Sequence, residues 1–146
     1  MGRDSLVIPK RWRGPYHRAR CSAPPPELLL EGIEQFNRGE YFEQHETLEE
    51  LWLQEPDDVR YLYQGILLVG VGFHHLGRGN YNGAVSKLRG GLEKLRWFAP
   101  RCQGVDVERL VRETEGCLTH LLELGPERMG EFEAGPRPRV RMVETT

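Results

Sequence analysis

The chain has 146 residues, 38% hydrophobic and 29% charged, with 20 Lys and Arg against 22 Asp and Glu. That is enough chain for one domain with a core of its own, and the near-neutral balance excludes a global pull toward nucleic acid, acidic substrates or anionic membranes. The longest apolar stretch, Ile66 to Phe73, is interrupted by Gly70 and Gly72 and is too short to span a bilayer, and no apolar leader follows the first basic residues, so the expectation is a cytoplasmic protein with no membrane partner.

Residues 1–25 read as a Pro/Arg-rich arm in which Arg3, Lys10, Arg11, Arg13, Arg18 and Arg20 are opposed only by Asp4. Arginines interleaved with Trp12, Tyr16 and His17 suit single-stranded nucleic acid. The stronger expectation for a segment with no core of its own is that it packs on the body or stays mobile. Cys21, Cys102 and Cys117 are odd in number, far apart and free of Cys-x-x-Cys spacing, which argues against a disulfide framework and against a thiolate zinc site.

Residues 26–125 carry the helical signals. Pro26 suits a first turn, Leu29, Leu30, Ile33 and Phe36 give a stripe, and Gly39 supplies the stop, so a first helix is expected over Pro26 to Asn37. A second follows from Tyr41 to Gln54, and Pro56-Asp57 breaks the chain again. The third, Asp58 to Arg78, is apolar on nearly every side and is therefore expected at the centre, with Gly65, Gly70 and Gly72 marking close approach of its neighbours. Gln64, His74 and His75 are its main polar groups. A fourth helix over Tyr81 to Phe98 ends at Pro100, and Asp106 caps a fifth that closes at Gly125-Pro126. Residues 126–146, with Arg137, Arg139 and Arg141 among prolines, read as a loose tail. No segment alternates at period two, so the fold class is all-α.

Arg38-Gly39-Glu40-Tyr41 and Arg78-Gly79-Asn80-Tyr81 stand 40 positions apart, each at a turn between two helices. The echo predicts two helical hairpins of related design, with Leu48 matching Leu88 and Trp52 matching Leu92. The second turn is similar to those of tetratricopeptide units, whose period is shorter. Two hairpins are too few for a solenoid, so the expected architecture is a compact bundle of about five helices: two hairpins and a C-terminal helix.

Chemistry concentrates in Glu43-Gln44-His45-Glu46-Thr47-Leu48-Glu49-Glu50-Leu51-Trp52. As a helix this stretch gathers Tyr41, Phe42, Leu48, Trp52 and Leu53 on one side, with His45 and Glu49 in the middle of that stripe. Two readings follow. In one, His45, Glu49, Gln64 and His74 form a buried hydrogen-bonded lock between the second and third helices, because buried polar groups demand partners. In the other, His45 and Glu49, one turn apart, join His74 to hold a divalent zinc, iron or manganese ion, with Glu46 as catalytic base of a hydrolase. The carboxylates behind, Glu43, Glu50 and Glu55, suit a solvated face or a docking face for a basic partner.

At these residues the chain resembles a known family. Gly39 to Trp52 is similar to its G-x-Y-x-E-x-H-E-x-L-E-x-x-W signature, Gln64-Gly65-Ile66 with His74 to its second block, and Gly79-Asn80 with Gly83-Ala84 to its third. The family is the one catalogued as domain of unknown function 309, and the resemblance spans roughly residues 28–98. It implies an all-helical bundle without a nameable activity, and it marks Glu43, His45, Glu46, Glu49, Trp52, Gln64 and His74. The resulting expectation is a binding or adaptor module with a groove beside the second helix, in contact with a partner protein or a second copy. A metal-dependent hydrolase using the same residues is the alternative.

Overall fold

The structure, a computed structural model, describes residues 13–132 and 137–143. Five helices carry it: α1 (Glu27–Asn37), α2 (Tyr41–Gln54), α3 (Arg60–Gly77), α4 (Tyr81–Leu95) and α5 (Val107–Leu124). Short 3-10 segments follow α4 (Arg96–Phe98) and, after Gly125, α5 (Pro126–Glu131). A two-residue antiparallel pair, β1 (Arg101–Cys102) and β2 (Val105–Asp106), is the strand structure between α4 and α5, with Arg101 opposite Asp106. The all-α expectation holds, and α3 lies at the centre with α2 and α4 packed on it.

The repeat seen in the sequence is a repeat of backbone geometry. Gly39 and Gly79 take φ of +77° and +74°, the left-handed region that glycine enters without penalty. The N–H of Gly39 donates to Phe36 and that of Gly79 to Leu76, while Glu40 and Asn80 each donate back to the carbonyl five residues earlier at 2.9 Å. Asn80 also caps α4 by accepting from the Gly83 N–H at 2.9 Å, as Asp106 caps α5 through Arg109. Packing repeats too. A methyl at Gly32 would overlap the Leu48 side chain, and one at Gly72 would lie 2.8 Å from Leu88 Cδ2. Both leucines are buried, so each hairpin closes by pressing a leucine onto a glycine forty positions from its counterpart.

The arm takes one of the two courses expected of it, packing on the body, and the C-terminal stretch departs from the expected loose tail. The arm is fixed from Arg13 onward: Tyr16 is buried and stacks on Tyr61 at 4.1 Å, beside Phe98. Arg18 spends its guanidinium on the carbonyls of Trp97, Ala99 and Arg101 at 2.9–3.1 Å, orphan acceptors where α4 has ended. The expectation of no disulfide is corrected, because Cys21 is bonded to Cys102. Spacing rules register local Cys motifs, whereas this pair meets through an arm folded back across the bundle, where Gln103 N–H donates to the Cys21 carbonyl at 2.7 Å. The C-terminal stretch is likewise held. Asn37 exchanges two hydrogen bonds with the backbone of Val140, Arg141 pairs with Glu113 at 3.0 Å, and Met142 bridges to Val105. Arg3, Lys10, Arg11 and Trp12, the other half of the expected nucleic-acid arm, lie outside the described residues.

Candidate functional site

α2 is turned by about one residue, some 100° of helix, from the orientation the sequence suggested. Its buried line is Tyr41, Gln44, Thr47, Leu48 and Leu51. Phe42 and Leu53, counted as core from their type, are 58% and 53% exposed. His45 and Glu49 consequently stand on the outer flank, His45 Nε2 at 3.7 Å from Glu49 Oε2, with side chains 38% and 55% exposed. The physical reason lies on α3. Gly70 leaves a hollow that the Gln44 carboxamide fills, and a methyl at that position would overlap it. Gln44 is fully buried and donates to the Leu67 carbonyl at 3.1 Å. Gln44 is thus a buried polar link between α2 and α3, and the pairing of its position with a helical glycine on α3 is the signal that could have found it.

The other marked residues fall in three places. Glu43, Glu46 and Glu50 are exposed on the flank that carries His45 and Glu49. His74 is half-buried on α3, its ring 6.4 Å from that of His75. Among the described residues, no three His, Cys, Asp or Glu side chains come together in a group that could hold a metal ion. Trp52 and Gln64 meet elsewhere, on the wall of a groove of about 910 Å³ that runs beside the C-terminal end of α2 and over the seam of α3 and α4. Tyr61 and Leu68 of α3 and Tyr81 and Arg89 of α4 share that wall.

Why the groove exists follows from the α3–α4 seam. Gly65 and Gly91 let the two helices approach backbone to backbone: a methyl on Gly91 would lie 2.9 Å from the Gly65 carbonyl oxygen and 2.7 Å from Val69 Cγ2. Gly90, the adjacent residue, faces the groove, where a methyl would meet only Leu68 at 3.5 Å. The end of the groove is set by Trp52. Arg60, a buried residue that sequence reasoning passed over, lays its guanidinium 4.3 Å from the Trp52 ring centroid and donates to the Trp52 carbonyl at 2.8 Å, closing the C-terminus of α2. Burial pulls the Arg60 guanidinium below its ordinary value. Among the described residues, Trp52 Nε1 and Gln64 Oε1 are buried without a hydrogen-bond partner.

Charge in the groove departs from that of the whole chain. Arg13, Arg89 and Lys94 line it against one carboxylate, Glu93, which is shared by Arg13 at 3.5 Å and Lys94 at 3.8 Å. Lys94 sits 5.8 Å and 5.7 Å from the Tyr16 and Tyr61 ring centroids, and burial holds its ammonium below the usual lysine range. The groove thus joins aromatic and apolar walls, a bare glycine and an excess of cations.

These features define a small all-helical bundle of two like hairpins and a fifth helix. Residues 29–86 match the family model described as Domain of unknown function (DUF309), which agrees with the resemblance carried by the Gly39 to Trp52 run. The match covers α1 to α3 and the start of α4, and so includes both the outer flank of α2 and the inner half of the groove. Among curated proteins and among solved structures, nothing matches this chain. Among the described residues, no helix is long and apolar enough to cross a membrane.

Proposed function

We propose that this protein is a cytoplasmic binding module whose ligand occupies the groove beside α2. The observation that carries the reading is the groove itself, about 910 Å³ in volume, with Trp52 and Gln64 on its wall. That volume falls in the range of about 300–1,000 Å³ typical of small-molecule sites. His45, Glu46 and Glu49 then serve as a solvated flank. The test is amide chemical-shift mapping of the full chain with a mixture of small aromatic fragments of all charges. Shifts clustered on α3 and α4 around Gly90 and Gln64, and abolished by Gly90→Leu, are the expected result. Shifts scattered over the surface, or none, would overturn it.

A partner protein or second copy has its own supporting observation on the opposite flank. Phe42 and Leu53 stand in solvent beside Glu46, Glu49 and Glu50, a mixed apolar and acidic stripe that would suit a basic partner helix. A hydrolase built on His45, Glu49 and His74, with Glu46 as base, would need a third side chain brought to the His45–Glu49 pair.

A further inference from the structure

We propose that the groove takes a small organic anion with a flat apolar body, an aromatic carboxylate or aromatic phosphate, and that Arg89 holds its anionic end. This deepens the binding reading and rests on it.

Three observations select that class. The first is charge. The chain as a whole carries a net charge of -2, yet Arg13, Arg89 and Lys94 face one carboxylate in the groove. Glu93 is occupied by Arg13 and Lys94, whereas Arg89 has no hydrogen bond or salt bridge among the described residues. An unpaired guanidinium at the rim presents a planar fork of donors that matches a carboxylate or a phosphate. The second is shape. Leu68, Val85 and Leu122 line the groove with Tyr81 and Trp52, so the body of the ligand meets apolar and aromatic surface. Gly90 leaves the floor bare, with Leu68 at 3.5 Å the one neighbour that an added methyl would meet. The third is the Gln64 carboxamide on the same wall. Its oxygen lacks a partner among the described residues, and rotation about its terminal bond offers a ligand either an acceptor or a donor.

The experiment uses the full chain with its disulfide intact and four probes: indole-3-acetate, 1-naphthyl phosphate, neutral indole and cationic tryptamine. Binding is read by titration calorimetry and by amide shifts. The expected result is that one or both anions bind at least tenfold more tightly than indole and tryptamine, with shifts centred on Arg89 and Gly90. Whichever anion is preferred assigns the headgroup as carboxylate or phosphate. Arg89→Ala should weaken the anions at least fivefold and leave indole unchanged. Gly90→Ala should weaken every groove probe while melting at or above the parent temperature, since alanine is the better helix former, so its loss of binding cannot be ascribed to misfolding. Tryptamine or indole binding in the groove as tightly as the anions would overturn the anion assignment and leave the binding reading standing. No probe binding in the groove at all would overturn both.

Discussion

Where Gly32 of the α1–α2 hairpin admits Leu48, Gly72 of the α3–α4 hairpin admits Leu88, and each turn closes on a positive-φ glycine, at 39 or at 79. Beyond that shared frame the two hairpins part. α2 meets α3 through a side chain, the Gln44 amide seated on Gly70, whereas α4 adds to its leucine contacts a close backbone approach at Gly65 and Gly91. The flank of α2 is left in solvent with His45 and Glu49, while the second hairpin is overlaid by the arm, with Tyr16 on Tyr61 and Arg18 on three carbonyls. Turn chemistry makes the hairpins alike. The size of the residue at each helix contact, and the chain that covers the outside, make one a bare flank and the other a groove.

The largest expected effect comes from removing that cover. Closing a loop over the 81 positions between Cys21 and Cys102 restricts the unfolded chain by an amount on the order of 4 kcal/mol. Reduction, or Cys102→Ala, should therefore lower Tm by roughly 10–15 °C. Hydrogen exchange should rise first in residues 13–26 and along α3 and α4, with α1 and α2 keeping their protection. Equal loosening of both hairpins would erase the distinction drawn between them.

Next in size are the glycines of the seam. Gly91→Ala forces a methyl against the Gly65 carbonyl and should destabilise by about 1–3 kcal/mol despite the gain in helix propensity, whereas Gly90→Ala should stabilise by up to about 1 kcal/mol. Thermal melts of the two neighbouring variants sharpen the claim that one glycine is structural and the other a floor. On α2 the contrast is between faces. Gln44→Ala empties the Gly70 hollow and should destabilise by about 1–3 kcal/mol. His45→Ala and Glu49→Ala should each stay within roughly 0.5 kcal/mol, as exposed pairs do. Denaturant titration that ranked His45 above Gln44 would restore the orientation read from the sequence.

The smallest effect concerns the C-terminal strap. Burial alone would raise the Glu113 carboxyl, but hydrogen bonds from Arg141, Arg109 and the Arg139 N–H outweigh it and hold the group below the usual carboxylate range. A depressed folded pKa gives stability that is complete above the ordinary glutamate range and is lost as pH falls through the folded value. The Val140 and Met142 amide shifts should therefore move as pH falls below the ordinary glutamate range in the parent, whereas in Glu113→Gln they should already lie near their acid positions at neutral pH.

The helices and their ends were legible because Gly39, Pro56, Asn80, Asp106 and Gly125 are local signals that act through one turn of backbone. The 40-residue echo was legible for the same reason. The face of α2 was not. Phe42, Trp52 and Leu53 pulled the apolar stripe toward His45, and only the hollow at Gly70, a residue of another helix, assigns the core to Gln44. The disulfide and the burial of Tyr16 were hidden likewise, since an arm of arginines and prolines carries no periodicity to show where it will lie. The groove over the α3–α4 seam was not legible in the sequence. Its cations come from Arg13 on the arm and from Arg89 and Lys94 on α4, which no sequence spacing brings to Trp52.

The bond between Cys21 and Cys102 also changes what a cut in the chain means. α1, α2, α3 and α4 all lie between the two cysteines, so that stretch is a covalent ring, with the remainder of the protein attached to it as two pendants. A protease that nicks an exposed turn at Gly39 or Gly79 opens the ring at one point and separates nothing. The nicked protein should keep its mass under non-reducing conditions and fall into two fragments once thiol is added. The two glycine turns are therefore places where the polypeptide can be broken, or begun anew, with its continuity preserved.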